Sequence, residues 1–520
     1  MASLLDHRAQ EFCVDITAIN TEATSGLGVP RSEHKDDPWV RWLSGVSVLL
    51  FFLSLIAYNF VDVDLWHQMA LIRESVGAGH LLRSDPFAYT PTIQPWIDHE
   101  WGAGAIAYLV TKWLGGRAII ALKLGMAFAT GLLCMRTSQK NGADIRLVAL
   151  CAVPAAFLVH LGFLAAIRAQ AYSFFFVALL LWCWQLDREG GSKWIFFWLL
   201  AFPLWVILHA GFVVGMGLFV LFIAEETLRG REVRHLFLVP AVMVGEIFVT
   251  PYGADYLRYL RRALFMARPF APEWRPIWDL GPWWVFCFVV ATALAVYSVA
   301  AVGMRRSSGI LVLAATVVEA TLHRKLLPFF ALAWLCYVPF QLQRTGLGEF
   351  LLRFMTRRRQ FVLVAWLLLA GASLVAAIRQ KPWNVFVPQP IYPVGPVNYL
   401  GEQKFSGNLL VPFRMGAYVS WKLFPAVKVS LDGRYEETYS NEVVETVFYL
   451  YEARPGWETT LELYPTDAVL VPREAALAER MVETKWPRIY RDQDFDVYVR
   501  PGLALPAEDW SSRTFRGTFP

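Results

Sequence analysis

Long apolar runs constrain this chain more than any other feature of its sequence. Hydrophobic residues make up 56% of the 520 residues and charged residues 18%, which excludes an ordinary soluble enzyme and a disordered scaffold. A short run at 101–114 is predicted as an interfacial or re-entrant helix. We therefore predict an α-helical polytopic membrane protein with about eleven transmembrane helices and one interfacial helix. The predicted spans are 42–60, 118–135, 146–164, 171–186, 194–209, 210–224, 236–250, 282–302, 308–322, 326–340 and 361–378.

The basic residues predict how these helices are oriented, because cytoplasmic loops of membrane proteins are enriched in Lys and Arg. If the N-terminus is cytoplasmic, eleven membrane crossings place every later basic cluster in the cytoplasm. Counting 101–114 as a further span would place these clusters on the exoplasmic side. We predict a cytoplasmic tail at 1–41, a transmembrane domain at 42–378 with an exoplasmic loop at 61–100, and an exoplasmic domain at 379–520, in the inner cell membrane. The clusters are Arg136 with Lys140 and Arg146, Arg229 with Arg231 and Arg234, Arg305 with Arg306, and the arginines between 344 and 359.

The residues after the last span predict a compact soluble α/β domain. Runs of β-forming residues predict strands at 409–411, 427–431, 468–471 and 497–499, and helical patterns occur at 442–452 and 473–484. The last cysteine is Cys336, so this domain has no disulfides. The net charge of +5 comes from short loops between spans, which points to topology and anionic lipid rather than to a nucleic-acid partner.

Unusual polar residues near the span ends fall on one predicted side of the membrane, the exoplasmic side. Ionisable groups at membrane depth are costly and usually face a cavity or a partner. We therefore predict that they converge in one outward-facing site at the lipid–water boundary. These residues are Asp62, Asp64, Asp85, His99, Glu100, Arg168, Gln170, His209, Tyr252, Glu273, Trp274, Arg275, His323 and Arg324.

Asp62 and Asp64, directly after the first span, are the candidate catalytic residues. A carboxylate that is partly shielded by lipid and protein can act as a general base toward a hydroxyl. Their spacing places them on one face of an extended segment but on diverging faces of a helix. The alternative is that both only end a helix among solvated head groups, or pair with Arg73.

Basic side chains are candidate ligands of a phosphate. Arg168 lies between two apolar helices, where its guanidinium can bind a phosphate bidentately or extend to lipid head groups. His323, Arg324 and Lys325 form a basic cluster against the usual charge bias; they can neutralise a lipid-linked phosphate or pair with bulk lipid. His209 is a candidate for catalysis or a structural residue with its hydrogen bonds satisfied.

The remaining polar residues have the chemistry of ligand contacts. His99, Glu100, Asp85 and the two aspartates carry the donor atoms of a divalent-cation site, but their spacing is irregular. No cofactor is therefore assigned, and a divalent cation stays an open alternative. The string EWRP at 273–276 supplies either an aromatic platform for a sugar or part of an interfacial aromatic belt.

With these residues collected, the chain resembles the GT-C superfamily of integral-membrane glycosyltransferases, and within it bacterial members related to the dolichyl-phosphate-mannose and aminoarabinose transferases. The resemblance extends from about residue 42 to residue 500. Relatives often have Pro where this chain has Ala169, and Asn where it has Thr250. The matching strings are DVDLWH at 62–67, SDPFAYT at 84–90, PWIDHEW at 95–101, RAQ at 168–170, HAGF at 209–212, TPYG at 250–253, EWRP at 273–276, MGAYVSW at 415–421 and SLDGRYE at 430–436.

The resemblance implies an inverting glycosyltransferase that moves a sugar from a polyprenyl-phosphate carrier to a glycan, lipid or protein acceptor at the exoplasmic face of the membrane. An acidic residue just after the first span is the usual catalytic candidate in this superfamily, and Asp62 and Asp64 share that position. Arg168 is then expected to stabilise the departing lipid phosphate, helped by His323, Arg324 or Arg275.

The resemblance also implies supporting roles for other residues. His209 and Glu273 are expected to position the sugar or the acceptor. In the C-terminal domain, Asp432 and Arg434 either cap the site or form a structural ion pair.

Two other functions stay open on the sequence. A transporter of lipid-linked or small polar cargo needs polar groups near the bilayer midplane and often has paired repeats; here Glu246 and Glu319 are near span ends and no repeat is visible. A non-enzymatic membrane scaffold, with an outer domain that binds a cell-wall partner, is the third alternative.

Overall fold

Helices form most of the chain between Pro38 and Arg379. The computed structural model describes residues 38–520, so most of the predicted cytoplasmic tail lies outside the described residues. The helices of this part are α1 Pro38–Ile56, α2 Val63–Ala78, α3 Trp101–Leu114, α4 Gly116–Lys140, α5 Ile145–Val159, α6 Gln170–Arg188, α7 Trp194–Leu208, α8 Phe212–Leu228, α9 Leu238–Glu246, α10 Asp255–Phe265, α11 Pro282–Val302, α12 Ile310–Leu322, α13 Leu327–Gln343, α14 Gly346–Arg357 and α15 Arg359–Arg379.

Each of the eleven predicted spans coincides with a helix, and α3 has the bounds predicted for the short helix at 101–114. Within residues 38–520, six helical segments are long and apolar enough to cross a membrane; they contain α1, α4, α5, α11, α13 and α15. The apolar helices α7 and α12 are shorter. The total of about eleven spans therefore stays a prediction.

Two glycines let α3 pack closely against its neighbours. A Cβ atom on Gly104 would lie 2.8 Å from the backbone oxygen of Gln68 in α2, and one on Gly102 would lie 2.8 Å from that of Ile207 in α7. Only glycine permits such backbone contact at these two positions. This packing places Glu100, the residue before α3, between α2 and the end of α7.

A six-stranded mixed sheet follows the last apolar helix. Strands β3 Gly407–Leu410, β4 Val427–Val429, β5 Ala468–Pro472, β6 Arg488–Arg491, β7 Phe495–Val499 and β8 Glu508–Asp509 are arranged in the order β4-β3-β5-β7-β6-β8. Strand β3 is parallel to β4 and to β5, β7 is antiparallel to β5 and to β6, and β8 is parallel to β6. Strands β5 and β7 are buried along their whole length, as expected for the centre of a sheet covered on both faces.

Short helices accompany this sheet. The helices are α16 Val394–Glu402, α17 Gly416–Leu423, α18 Tyr435–Thr438, α19 Asn441–Tyr451, α20 Trp457–Leu463 and α21 Ala476–Met481. The four predicted strands overlap β3, β4, β5 and β7, and the two predicted helices overlap α19 and α21, whereas the other elements of this region were not predicted.

A second, three-stranded sheet connects the two parts of the chain. Strand β1 Asn59–Phe60 follows the first apolar helix and pairs in parallel with β2 Val385–Pro388, which follows the last one. Strand β9 Arg516–Gly517 pairs with the other edge of β2. Residues 43–520 form one compact unit, and the boundary at 379 stays a prediction.

Candidate functional site

A parallel backbone register brings Asp62 next to Arg168. Phe60 forms a parallel bridge with Ala165, and the Ala166 N–H donates to the Phe60 oxygen at 2.7 Å. In such a register, residues slightly further along both segments also lie side by side. Asp62 and Arg168 occupy these positions, and Asp62 Oδ2 is 3.2 Å from Arg168 Nε.

Three carboxylates contact the Arg168 guanidinium. Besides Asp62, Asp64 Oδ2 is 3.5 Å and Glu273 Oε2 is 3.4 Å from Arg168 Nη2. Lys325 Nζ is 3.5 Å from the other oxygen of Glu273. We call these five residues the carboxylate–arginine cluster; its three acids and two bases leave one formal negative charge. Asp62 contributes most to raising the pKa of Arg168 above its ordinary value.

The two aspartates of the cluster have different surroundings. Asp62 is the N-cap of α2, where its carboxylate accepts a hydrogen bond from the Asp64 N–H at 3.1 Å; its side chain is 9% exposed. The Asp64 side chain is 33% exposed, so it can meet a ligand. Burial by the surrounding protein, and then the charge of Asp62, raise the pKa of Asp64 well above its ordinary value, although Arg168 opposes this. Asp64 thus has the exposure and basicity of a proton acceptor.

Glu100 connects a second set of polar side chains. Its carboxylate is 3.2 Å from His99 Nε2 and 3.6 Å from His209 Nε2, and it accepts a hydrogen bond from Gln68. His99 Nδ1 is 2.6 Å from Glu437. Burial alone would raise the pKa of Glu100, but His99 lowers it to about 2. Burial likewise opposes protonation of His99, yet Glu437 and Glu100 raise its pKa well above the ordinary value. His99 is therefore a cation held between two carboxylates.

The hydrogen bonds of His209 fix which of its nitrogens carries the proton. The Gly211 N–H donates to His209 Nδ1 at 2.8 Å, so Nδ1 is an acceptor. The Ser173 hydroxyl is 2.7 Å from the same nitrogen and accepts a hydrogen bond from Trp205 Nε1 at 2.7 Å. In the neutral ring Nε2 then carries the hydrogen and faces Glu100.

The loop around Trp274 helps to position Lys325 within the carboxylate–arginine cluster. The Trp274 ring contacts two cations: its centroid is 3.6 Å from Lys325 Nζ and 4.3 Å from Arg268 Cζ. His323 Nδ1 is 2.8 Å from the Trp274 oxygen, and Gln170 Nε2 donates to the Lys325 oxygen at 3.1 Å. Predicted residues of three separate segments therefore support the same lysine.

Three other predicted residues make their contacts outside the carboxylate–arginine cluster. The Arg275 side chain is exposed, and its backbone oxygen accepts a hydrogen bond from the Arg324 N–H at 2.9 Å. The Arg324 guanidinium reaches the Asp279 oxygen at 3.5 Å. The Tyr252 hydroxyl donates to the Leu82 oxygen at 3.4 Å. We find no contact that links these side chains to Arg168 within residues 38–520.

Asp85 is not available to a substrate, which corrects its assignment as a substrate contact. Its carboxylate and that of Asp432 both pair with Arg434, and all three side chains are fully buried. This ion-pair triad fixes the turn that contains Gly433. A Cβ atom on Gly433 would lie only 3.0 Å from Asp64 Oδ1, so the turn directly borders the candidate base.

Several residues at the site were not selected from the sequence. His67 and Gln68 follow Asp64 by three and four positions, a spacing that places them on the same face of a helix and could have identified them. Glu437 carries no local signal, because its proximity to His99 depends on the C-terminal fold.

The acidic residues do not assemble a metal site. Within residues 38–520, no group of three or more His, Cys, Asp or Glu side chains comes together in a way that could hold a metal ion. The positive charges that Asp62, Asp64 and Glu273 contact are those of Arg168 and Lys325.

Comparison with known proteins gives structural matches only. No protein-family model matches the chain, and no curated protein matches it in sequence. The chain is similar to the oligosaccharyltransferase AglB of Archaeoglobus fulgidus, with a TM-score of 0.58 and 12% identity over 83% of this chain and 69% of that chain. It is also similar to the arabinofuranosyltransferase AftD from Mycobacteria, with a TM-score of 0.50 and 15% identity over 89% of this chain and 40% of that one.

These similarities agree with the apolar helices, and the chain is an integral membrane protein. They also agree with the fold that the sequence predicted. The chain has the fold of the GT-C membrane glycosyltransferases.

Proposed function

We propose that this protein is an inverting glycosyltransferase that moves a sugar from a polyprenyl-phosphate carrier to an acceptor hydroxyl. The observation that carries the proposal is the position of Asp64, a partly exposed carboxylate of raised pKa beside Arg168. Two similar structures support it: AglB was solved with a dolichol-phosphate, and AftD is an arabinofuranosyltransferase.

In the proposed reaction, Asp64 accepts the proton of the acceptor hydroxyl as its oxygen attacks the anomeric carbon of the sugar. The bond between that carbon and the phosphate oxygen breaks, and the lipid phosphate leaves with the bonding electrons. Arg168, which contacts Asp64, and Lys325, which contacts Glu273, stabilise the charge that develops on the leaving group. One displacement at one carbon inverts its configuration.

Neighbouring residues have supporting roles in this proposal. Asp62 caps α2 and contacts Arg168, so it fixes the position of both catalytic groups. Glu273 orients Arg168 and Lys325; burial would raise its pKa, but Arg168 and Lys325 lower it to about 2, so it stays ionised. Glu100 and His209 are the candidates for hydrogen bonds to sugar hydroxyls.

The proposed site faces the exoplasmic side of the inner membrane, with the N-terminus in the cytoplasm. The distribution of basic residues between the apolar helices supports this orientation. Residues 379–520 then lie on the same side as Asp64, where the turn at Gly433 borders the site and the acceptor enters.

The test compares two matched substitutions in full-length protein reconstituted in nanodiscs. A panel of polyprenyl-phosphate sugars is supplied with candidate acceptors, and sugar transfer is measured by mass spectrometry. Asp64→Asn is expected to reduce transfer by about 10²–10⁴-fold, the usual contribution of a general base. Asp62→Asn makes the same chemical change and keeps the helix cap, so we expect a smaller loss.

Each outcome bears on the proposal. Undiminished transfer by Asp64→Asn would contradict the assignment of the base. Movement of the lipid-linked sugar across the membrane without any transfer would contradict the enzymatic function and indicate the transporter.

A further inference from the structure

A cavity with three arginines in its wall lies apart from the carboxylate–arginine cluster and has no role in the proposed transfer. It is open on one side and has a volume of about 810 Å³. Helix α10 and the beginning of α19 contribute most of its wall. Its polar residues are Arg258, Arg261, Arg262, Ser440 and Asn441.

Helix α10 has two faces with different surroundings. Arg258, Arg261, Arg262 and Phe265 recur at positions i, i+3, i+4 and i+7, which is one face of a helix, and all four line the cavity. The opposite face is buried, and its Tyr259 ring stacks on His99 with centroids 4.8 Å apart. The helix therefore separates the cavity from the Glu100 network.

Acidic side chains neutralise only part of the positive charge on the cavity wall. Arg258 pairs with Asp255 at 2.6 Å. Within residues 38–520, Arg261 and Arg262 have no acidic partner within 4 Å, and Arg262 Nε is buried without a hydrogen-bond partner. A buried donor without a partner costs free energy unless a ligand satisfies it.

The N-terminus of α19 adds further groups that favour an anion. Ser440 is the N-cap of this eleven-residue helix and accepts a hydrogen bond from the Val443 N–H at 3.3 Å. The positive end of the helix dipole therefore faces the cavity. Asn441 Oδ1 is buried and has no partner in the described part of the chain, so it can accept a hydrogen bond from a hydroxyl next to the anion.

We propose that this cavity binds a phosphate group, at a site separate from the one proposed for the donor phosphate at Arg168. Three guanidiniums and a helix N-terminus supply more donors than a carboxylate can accept, whereas a phosphate has enough oxygens for them. The phosphate comes either from a membrane phospholipid or from a soluble ligand.

The test measures phosphate binding and does not depend on glycosyl transfer, so it separates this proposal from the proposed function. Full-length protein in phosphatidylcholine nanodiscs is titrated with radiolabelled inorganic phosphate. In the second arm, nanodiscs contain phosphatidic acid, and lipid that stays bound is counted by native mass spectrometry. Phosphate bound in the first arm identifies a soluble source, and binding in the second arm alone identifies a lipid source.

Two variants remove the site in different ways. The triple variant Arg258→Gln, Arg261→Gln, Arg262→Gln removes its positive charge, and we expect at least tenfold weaker binding of the probe. Ser440→Asp keeps a good helix cap but adds a negative charge to the cavity, so it reports on the site even if the triple variant fails to fold. The matched control is Arg353→Gln, Arg357→Gln, Arg358→Gln, which removes the same charge at α14 and should bind like wild type.

Binding that is unchanged in Ser440→Asp and in the folded triple variant would overturn the proposal. An equal loss in the control variant would also overturn it, because the effect would then reflect net charge and not this cavity.

Discussion

Arg168 is the residue around which the candidate site is organised. The sequence placed it near Asp62, Asp64 and Glu273 only through a shared side of the membrane, whereas the structure brings all three carboxylates within 3.5 Å of its guanidinium. The sequence left open which aspartate is the base. The two carboxylates differ in their surroundings, because that of Asp62 caps a helix whereas that of Asp64 faces accessible space. Sequence spacing alone cannot distinguish these two environments.

Asp98 gives a prediction about pH. Burial and then the charge of Glu437 raise its pKa to about 7, above the value of about 3.9 expected in the unfolded chain. The folded state therefore binds the proton more tightly, and the stabilisation from protonated Asp98 is present below about pH 4 and lost as the pH rises toward 7. Glu100 titrates below this window and His99 above it.

We expect the melting temperature of the wild type to fall from pH 4 to pH 7 by at least about 2 °C more than that of Asp98→Asn. Asn keeps the hydrogen bond that Asp98 accepts from the Glu100 N–H and does not titrate. The measurement is a thermal unfolding series in detergent. If the melting temperatures of the two proteins changed with pH in the same way, Asp98 would be ionised in the folded state from pH 4 to pH 7, which would contradict this prediction.

Apolar segments predicted most of the longer helices but not how these helices contact each other. Each of the eleven predicted segments coincides with a helix, whereas α2, α10 and α14 were not predicted. The pairing of Phe60 with Ala165, which sets the distance between Asp62 and Arg168, comes from contacts distant in sequence. The contacts of Gly102 with Ile207 and of Gly104 with Gln68 likewise join separate helices.

The buried ion-pair triad at the Gly433 turn is expected to stabilise the folded protein. Arg434 is fully buried between Asp85 and Asp432, so Arg434→Met leaves two buried carboxylates without their cation. Breaking a buried ion pair from one side costs about 3–5 kcal/mol. The measurement is thermal or denaturant unfolding of the purified protein.

The control for Arg434→Met is Arg454→Met, which removes an ion pair between Arg454 and Glu452 that is about half exposed. Such surface pairs contribute about 0–1 kcal/mol. Equal destabilisation by the two substitutions would contradict a structural role for the buried triad.

For the whole molecule, the sequence predicted a membrane protein with a GT-C fold, and the structural comparisons bear this out. After the last apolar helix, four strands and two helices occur near predicted positions, and the remaining elements of that region were not predicted. The contact between the region after the last apolar helix and the candidate site could not be predicted from the sequence. The pairing of β1 with β2 and the turn at Gly433 join segments more than 300 residues apart.

The orientation of the molecule is testable by chemical labelling in cells. In a cysteine-free background, we expect a membrane-impermeant maleimide to label Arg275→Cys from outside the inner membrane. Arg353→Cys, also at an exposed position, should be labelled only after the membrane is permeabilised. The reverse pattern would place the proposed site in the cytoplasm and contradict the orientation.

A cryo-EM map of the protein bound to undecaprenyl phosphate tests the proposed site most directly. In this site, Arg168 and Lys325 bind the lipid phosphate while Asp64 meets the acceptor hydroxyl. We predict phosphate density within hydrogen-bonding distance of Arg168 and Lys325. Phosphate density elsewhere, with the carboxylate–arginine cluster unchanged, would contradict the account.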